Sequence, residues 1–186
     1  MTSAEKPVGT GGFLHPESIV EEFGIKDGMQ IADFGCGAGY FTILMAEKTG
    51  PTGKVYALDV QESALDNVIT KARAGNVNNI ETIRTNLEIL GGSSLADNSQ
   101  DSVMLHNILF QSKKRQEIVH EAKRILKTGG TIVVIEWAKS VGGFGPPDDL
   151  CLDPDEIKDI AQKENLSLER GFDAGRFHFG FIFIKK

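Results

Sequence analysis

Cysteine is scarce in this 186-residue chain, with only Cys36 and Cys151 present. Two cysteines cannot staple a secreted scaffold, so a reducing, cytoplasmic setting is expected. His15, His106, His120 and His178 are the only histidines and have no zinc-like spacing, so no metal site is read. Residues Met1 to Pro7 carry no apolar signal core, and no apolar run approaches the roughly 20 residues that span a bilayer. Positive charge is also short. Twenty basic against 26 acidic residues leave a net charge of −6, which gives no electrostatic case for a nucleic-acid or anionic-membrane partner. Apolar residues are not short: they make up 40% of a chain of single-domain length. That is enough for a substantial core, and it excludes disorder as the dominant state.

Glycine is in excess, with 21 residues against a usual ~7% of composition. Several fall in residues 1–12, with Pro7, and that stretch reads as a flexible arm before one domain over 13–186. Pro16 opens a short helix carrying Ile19, Val20 and Phe23. Apolar, partly β-branched runs then recur at 30–34, 54–60, 80–85, 102–109 and 131–137. Their continuous apolar character fits strands buried on both faces of a parallel sheet. Between them, Leu65, Val68, Ile69 and Ala72 form one helical face, and Ile118, Ala122, Ile125 and Leu126 another. Lys127-Thr128-Gly129-Gly130 is expected to end the second of these helices. Asp153-Pro154-Asp155-Glu156 has the pattern of a capped helix start. Residues 166–170 and 177–184 are expected to close the chain as a hairpin, with Phe177, Phe179, Phe181 and Phe183 on one face. The fold expected is α/β, a Rossmann-like three-layer sandwich with its ligand at the carboxyl ends of the strands.

The most informative stretch is Ile31-Ala32-Asp33-Phe34-Gly35-Cys36-Gly37-Ala38-Gly39-Tyr40-Phe41, which leaves the first strand and enters the first long helix. Alternate glycines let the backbone turn tightly and let a ligand approach without meeting a Cβ. Asp59 ends the next strand, twenty residues after Gly39, where an acid can accept hydrogen bonds from ribose hydroxyls. Loop and acid together point to a nucleoside-bearing cofactor. A dinucleotide site wants G-x-G-x-x-G, but Gly39 is followed by Tyr40 and the third dinucleotide glycine is absent. Asp33, two residues before Gly35, would repel a pyrophosphate yet suits a cationic amino group.

Asp33-x-Gly35-x-Gly37-x-Gly39 resembles the first motif of class I S-adenosylmethionine-dependent methyltransferases. The resemblance runs over roughly residues 13–184. Val55 to Val60 is similar to the family's ribose-binding strand, Thr85-Asn86-Leu87 to its adenine contact, and Asp101 to Asn107 to its fourth-strand motif. Glu121 to Gly130 resembles the helix and turn before its fifth strand, and Phe13-Leu14-His15-Pro16 points to the ubiquinone/menaquinone-methyltransferase-like subgroup. The resemblance implies a mostly parallel seven-stranded sheet with one antiparallel strand inserted near the C-terminus. It implies S-adenosyl-L-methionine as cofactor, with Asp33, Phe34, Gly35, Cys36, Gly37, Gly39, Asp59, Val60, Gln61, Asn86, Leu87 and His106 as the residues around it. Many relatives carry Asp at the position of Asn86, whose side-chain carbonyl can accept the same bond. A nicotinamide-dependent oxidoreductase is the alternative, which the absent glycine argues against. A catalytically silent cofactor-binding module is a third reading.

Methyl transfer is an in-line displacement that needs chiefly close, aligned reactants. His106, at the end of the fourth strand, is chemically suited as a base, or else contributes only its backbone carbonyl to the methionine amino group. Glu136 and Trp137 end the fifth strand on the same rim. Arsenic-methylating relatives use several acceptor cysteines, which Cys151 alone does not supply. Lys113-Lys114-Arg115 reads as a solvated helix start. The long link 138–153, with Gly142, Gly143, Phe144, Gly145, Pro146 and Pro147, reads as a lid. The expected acceptor is a small, partly apolar molecule bounded by Phe13, His106, Phe110, Trp137 and Phe144.

Overall fold

A computed structural model describes residues 15–139 and 145–186. Pro16–Ile19 (α1) and a 3₁₀ turn over Val20–Phe23 lead to Gly24, whose left-handed backbone ends the turn. Seven strands follow: β1 (Gln30–Phe34), β2 (Lys54–Asp59), β3 (Ile80–Arg84), β4 (Gln100–His106), β5 (Leu126–Trp137), β6 (Leu166–Asp173) and β7 (His178–Lys185). The helices between them are α2 (Tyr40–Thr49), α3 (Glu62–Ala74), α4 (Arg115–Ile125) and α5 (Pro154–Lys163). The strands form one sheet in the order β3-β2-β1-β4-β5-β7-β6. β1 to β5 pair in parallel, while β7 runs antiparallel to both β5 and β6. This is the Rossmann-like sandwich with an inserted antiparallel strand that the sequence led us to expect. Strand order reverses at β1 and β4, so a crevice opens at their carboxyl ends.

Alternation along the strands divides the core. Ala32, Phe34, Leu105, Val134, Phe181 and Phe183 pack with Ile118 and Ala122 of α4 and Ile157 of α5. On the other face, Ile31, Met104, Val133 and Ile182 pack with Phe41 and Met45 of α2 and with Ile19, Val20 and Phe23. The Phe179, Phe181 and Phe183 rings meet edge-to-face and tilted, at successive centroid distances of 5.6 and 5.8 Å, on the α4–α5 face. At the start of α5 the capping box forms in full between Asp153 and Glu156.

Three local expectations are corrected. The helix expected to run into Lys127-Thr128-Gly129-Gly130 stops at Ile125, and Leu126 is already extended and paired with Gln100. Pairing resumes at Ser102 with Thr131 after a bulge that absorbs the glycines. Lys185, from the far end of the chain, donates to the carbonyls of Lys123 and Leu126 at 2.8 and 2.6 Å, so the helix end is capped in tertiary structure. Second, β6 does not end at residue 170 before the hairpin turn but runs on through Gly171, paired with Phe181, to Asp173. Third, Arg115 is not simply a solvated residue. Its Nε donates to the Leu109 carbonyl at 3.1 Å and its guanidinium reaches Glu156 at 3.4 Å, tying the segment after β4 to α5.

Candidate active site

The loop from Gly35 to Gly39 turns over the tip of β2. The Gly35 and Cys36 amides both donate to the Leu58 carbonyl, at 2.8 and 3.1 Å. Gly37 and Gly39 are both left-handed, with φ of +49° and +77°, but for different reasons. A Cβ on Gly39 would lie 2.7 Å from Val68 Cγ2, so this glycine lets α2 approach α3. A Cβ on Gly37 would meet nothing nearer than the Gly35 carbonyl at 3.9 Å. It would instead occupy the cavity that Gly37 lines. Lys71, from α3, donates to the Ala38 carbonyl at 2.6 Å and lies 4.5 Å from the Tyr40 ring centre, clamping the loop from outside.

Asp59 reaches under the same loop. Its Oδ2 accepts the Gly37 N–H at 3.0 Å and its Oδ1 the Gln61 N–H at 2.9 Å. An ionised carboxylate has about four acceptor positions, so two bonds leave capacity toward the cavity it lines. Val60, largely exposed, and Gln61 continue that wall. Asn86 and Leu87 line it from the loop after β3. Asn86 Oδ1 accepts the Glu88 N–H at 2.9 Å, and Glu88 accepts the Ser112 hydroxyl at 2.6 Å. The second of these bonds joins the loop after β3 to the segment after β4 and closes one end of the cavity.

Asp33 and Phe34, beneath the loop, and Cys36, whose side chain is buried, are absent from the cavity lining. Phe34 is a core side chain at 0% exposure. Burial pushes the Cys36 thiol well above its usual range, so it stays protonated. Burial also lifts Asp33 to about 7, against the bond that its Oδ2 accepts from the Thr42 hydroxyl at 2.5 Å.

The cavity measures about 570 Å³ and continues from Gly37 and Asp59 to His106 and Asn107 at the end of β4. Its far wall is Ile108, Gln111, Ser112 and Ile118. Phe110 and Trp137 are half-buried and do not line it. Trp137 lies 4.1 Å from His178, ring centre to ring centre, and Gly145 packs against its indole so closely that a Cβ there would lie 2.6 Å from a ring carbon. Phe13 and Phe144 lie outside the described residues. Lys139 and Asp153 pair at 2.6 Å across the ends of the long link.

Burial lowers His106 to about 3 and His178 to about 4, so both imidazoles are neutral at physiological pH. Glu136 is fully buried, and desolvation raises it to about 8 although it accepts the Leu109 N–H at 2.7 Å. The sequence reading did not single out Asn107, His178, Glu88 or Ser112 for the site. Asn107 directly follows His106, but its left-handed backbone (φ +53°) and its contact with the last strand have no local sequence signal.

A family model described as a methyltransferase domain matches residues 25–168. The chain is 31% identical over 123 residues to the demethylmenaquinone methyltransferase of Geobacillus stearothermophilus, covering 66% of this chain and 51% of that protein. It is 28% identical over 131 residues to the arsenite methyltransferase of Halobacterium salinarum, covering 70% of this chain and 32% of that one. The chain thus spans about half, or less, of the length of these curated relatives. A crystal structure of a SAM-dependent methyltransferase from Aquifex aeolicus superposes with a TM-score of 0.85 at 26% identity, covering 94% of this chain and 92% of that one. No helix among the described residues is long and apolar enough to cross a membrane. The sheet order, the glycine loop over Asp59 and the family match agree on one conclusion: this chain belongs to the class I S-adenosylmethionine-dependent methyltransferases.

Proposed function

We propose that the chain transfers the methyl group of S-adenosylmethionine to a small, partly apolar acceptor held at the His106 end of the cavity. The observation that carries this is the continuity of one cavity from Gly37 and Asp59 to His106, Asn107 and Ile108. When bound, S-adenosylmethionine supplies an electrophilic sulfonium methyl. Asp59 would accept the ribose hydroxyls, with Gly35, Gly37 and Gly39 giving the backbone room to approach, and Val60, Asn86 and Leu87 would surround the adenine. Asp33 would act from below, as a buried carboxyl that shapes the loop and its potential without touching the cofactor. The nucleophile's electron pair forms the new bond to the methyl carbon while the carbon–sulfur bond breaks and its pair stays on sulfur. The chain's contribution is alignment and exclusion of water.

Two relatives are named for different acceptors, demethylmenaquinone and arsenite. Both cysteines here are buried and Cys36 is held protonated, which supports an organic acceptor over arsenite. The cofactor half is tested by thermal unfolding. S-adenosylhomocysteine at about 100 times its Kd should stabilise the fold by about 2.7 kcal/mol, and NADH should have no comparable effect. The acceptor half is tested by incubating the protein with S-adenosylmethionine and pooled small metabolites, then reading methylated products by mass spectrometry. Stabilisation by NADH alone would overturn the reading.

A further inference from the structure

Asn107 joins half-buried His106, at the cavity, to buried His178 behind it. Its Nδ2 lies 3.1 Å from His106 Nε2 and 3.1 Å from His178 Nε2. An amide nitrogen only donates, so both Nε2 atoms accept and both rings carry their proton on Nδ1. The two Nδ1–H groups differ in surroundings. That of His178 is sealed from solvent and has no partner among the described residues, as does Asn107 Oδ1. His106 Nδ1 is not among the sealed, unpartnered atoms of the described residues, and His106 lines the cavity. Phe41 holds the His106 ring edge-to-face at 4.8 Å. Unpaired polar atoms in a buried network call for an explanation other than stability.

We propose that His106 presents its Nδ1–H as a hydrogen-bond donor to an oxygen of the methyl acceptor, and that Asn107 and His178 are the positioning residues that keep it in that tautomer. The inference rests on the methyltransferase reading and adds a substrate class: an acceptor whose nucleophile is, or is conjugated with, a phenolate or enolate oxygen. Such an acceptor arrives ionised. Its electron pair attacks the methyl carbon and the sulfonium pair stays on sulfur; where the nucleophile is carbon, the proton it carried is lost afterwards to water, and in neither case is a proton passed to the imidazole. The suppressed basicity of His106 suits this role, since a weakly basic neutral imidazole donates but does not abstract.

The test uses the full chain, labelled with nitrogen-15 and saturated with S-adenosylhomocysteine, and reads imidazole tautomers by two-bond proton–nitrogen spectra at pH 7. His106 and His178 should both show the Nδ1–H form. The Nε2–H form on either ring, or exchange between the two forms, overturns the proposal. Asn107→Asp replaces the donor with an acceptor at a backbone conformation that aspartate also tolerates, so both rings should switch to Nε2–H together. Unchanged tautomers in a variant that still melts cooperatively would refute the positioning role. For the acceptor oxygen the probe is 4-nitrophenolate, whose absorbance reports its binding to the S-adenosylhomocysteine complex. Wild type should bind it, and His106→Phe and Asn107→Asp should each weaken binding by about ten-fold or more, the worth of one hydrogen bond to a charged group. No binding by wild type, or equal binding by the variants, rejects the oxygen-donor role. Failure of S-adenosylhomocysteine itself to bind would instead reject the underlying methyltransferase reading, and is measured first.

Discussion

Asp59 and Gly37 are hydrogen-bonded to each other, carboxylate to backbone amide at 3.0 Å, so the acid at the tip of β2 and the loop leaving β1 act as one unit. Asp59→Ala therefore removes both an acceptor offered to the cavity and a support of the loop. The affinity for S-adenosylhomocysteine should fall by about ten-fold or more, given roughly 1.5–3 kcal/mol per bond to a charged group. Titration calorimetry checks this, and wild-type affinity would place the ribose elsewhere.

Gly37 and Gly39 should separate binding from folding. Gly37→Val places a Cβ that meets no protein atom nearer than 3.9 Å at a residue lining the cavity, and its branched side chain should abolish cofactor binding. Its cost in stability should be limited to the left-handed backbone, about 1–2 kcal/mol. Gly39→Ala pushes a methyl group into Val68 at 2.7 Å, adding an overpacking cost of about 1–3 kcal/mol. Denaturant melts and calorimetry on both variants give the comparison. A Gly39→Ala protein as stable as wild type would contradict the packing argument.

Glu136 gives the protein a pH-dependent stability of definite sign. Burial raises its carboxyl from 4.5 to about 8, so the native state keeps a proton that the unfolded chain releases. Its contribution is full below pH 4.5 and is lost as pH rises toward 8. Asp33, raised to about 7, acts in the same direction over 3.8 to 7. His106 and His178, lowered from 6.5, act in the opposite direction, costing stability as pH falls below 6.5. Above pH 7 the decline due to Glu136 is the one that remains among these four. Glu136→Gln should flatten the stability profile between pH 7 and 9 in denaturant melts. A profile as steep as that of wild type would show that Glu136 is already ionised in the native state.

Glu121 is the opposite kind of buried acid. It is fully buried, yet hydrogen bonds from Arg124, Ser93 and the Gly91 amide hold it ionised, down to about 2. It anchors the loop whose earlier residues line the cavity. Glu121→Ala leaves the Gly91 and Ser93 amides without their partner and Arg124 with only Asp97 and Ser93, and should cost about 3–5 kcal/mol, the usual result of breaking a buried pair. Chemical denaturation measures it. A loss below about 1 kcal/mol, as for an exposed pair, would mean water replaces the carboxylate.

Much of this molecule follows from short-range pattern. Runs of apolar, β-branched residues mark buried parallel strands, and β1 occupies 30–34 as read. Glycines at alternate positions next to an acid one strand later signal a nucleoside site, because both features lie within one βαβ unit whose geometry is local. The capping box at Asp153 is equally local. Where readings failed, a distant residue decided. Lys127 to Gly130 look like a helix stop, but Lys185 caps that helix and the glycines bulge within β5. Arg115 looks solvated until α5 and Leu109 are placed around it.

The acceptor side divides in the same way. His106 is legible as a strand-tip residue, but whether it acts as a base or contributes only its backbone carbonyl is not, because basicity depends on burial and on the ring facing it. His178 is 72 residues away and becomes its neighbour because β7 inserts antiparallel next to β5, placing the two rings where Asn107 bridges them. The sequence by itself determined the apolar strand runs, the glycine loop and a nucleoside-bearing cofactor, since these rest on periodicity and on residues close along the chain; the strand order and S-adenosylmethionine followed from the family resemblance. Only the tertiary structure decided which carboxyls are protonated, which side chains line the cavity and how the two imidazoles are held, since desolvation and hydrogen bonding depend on neighbours that only folding brings together.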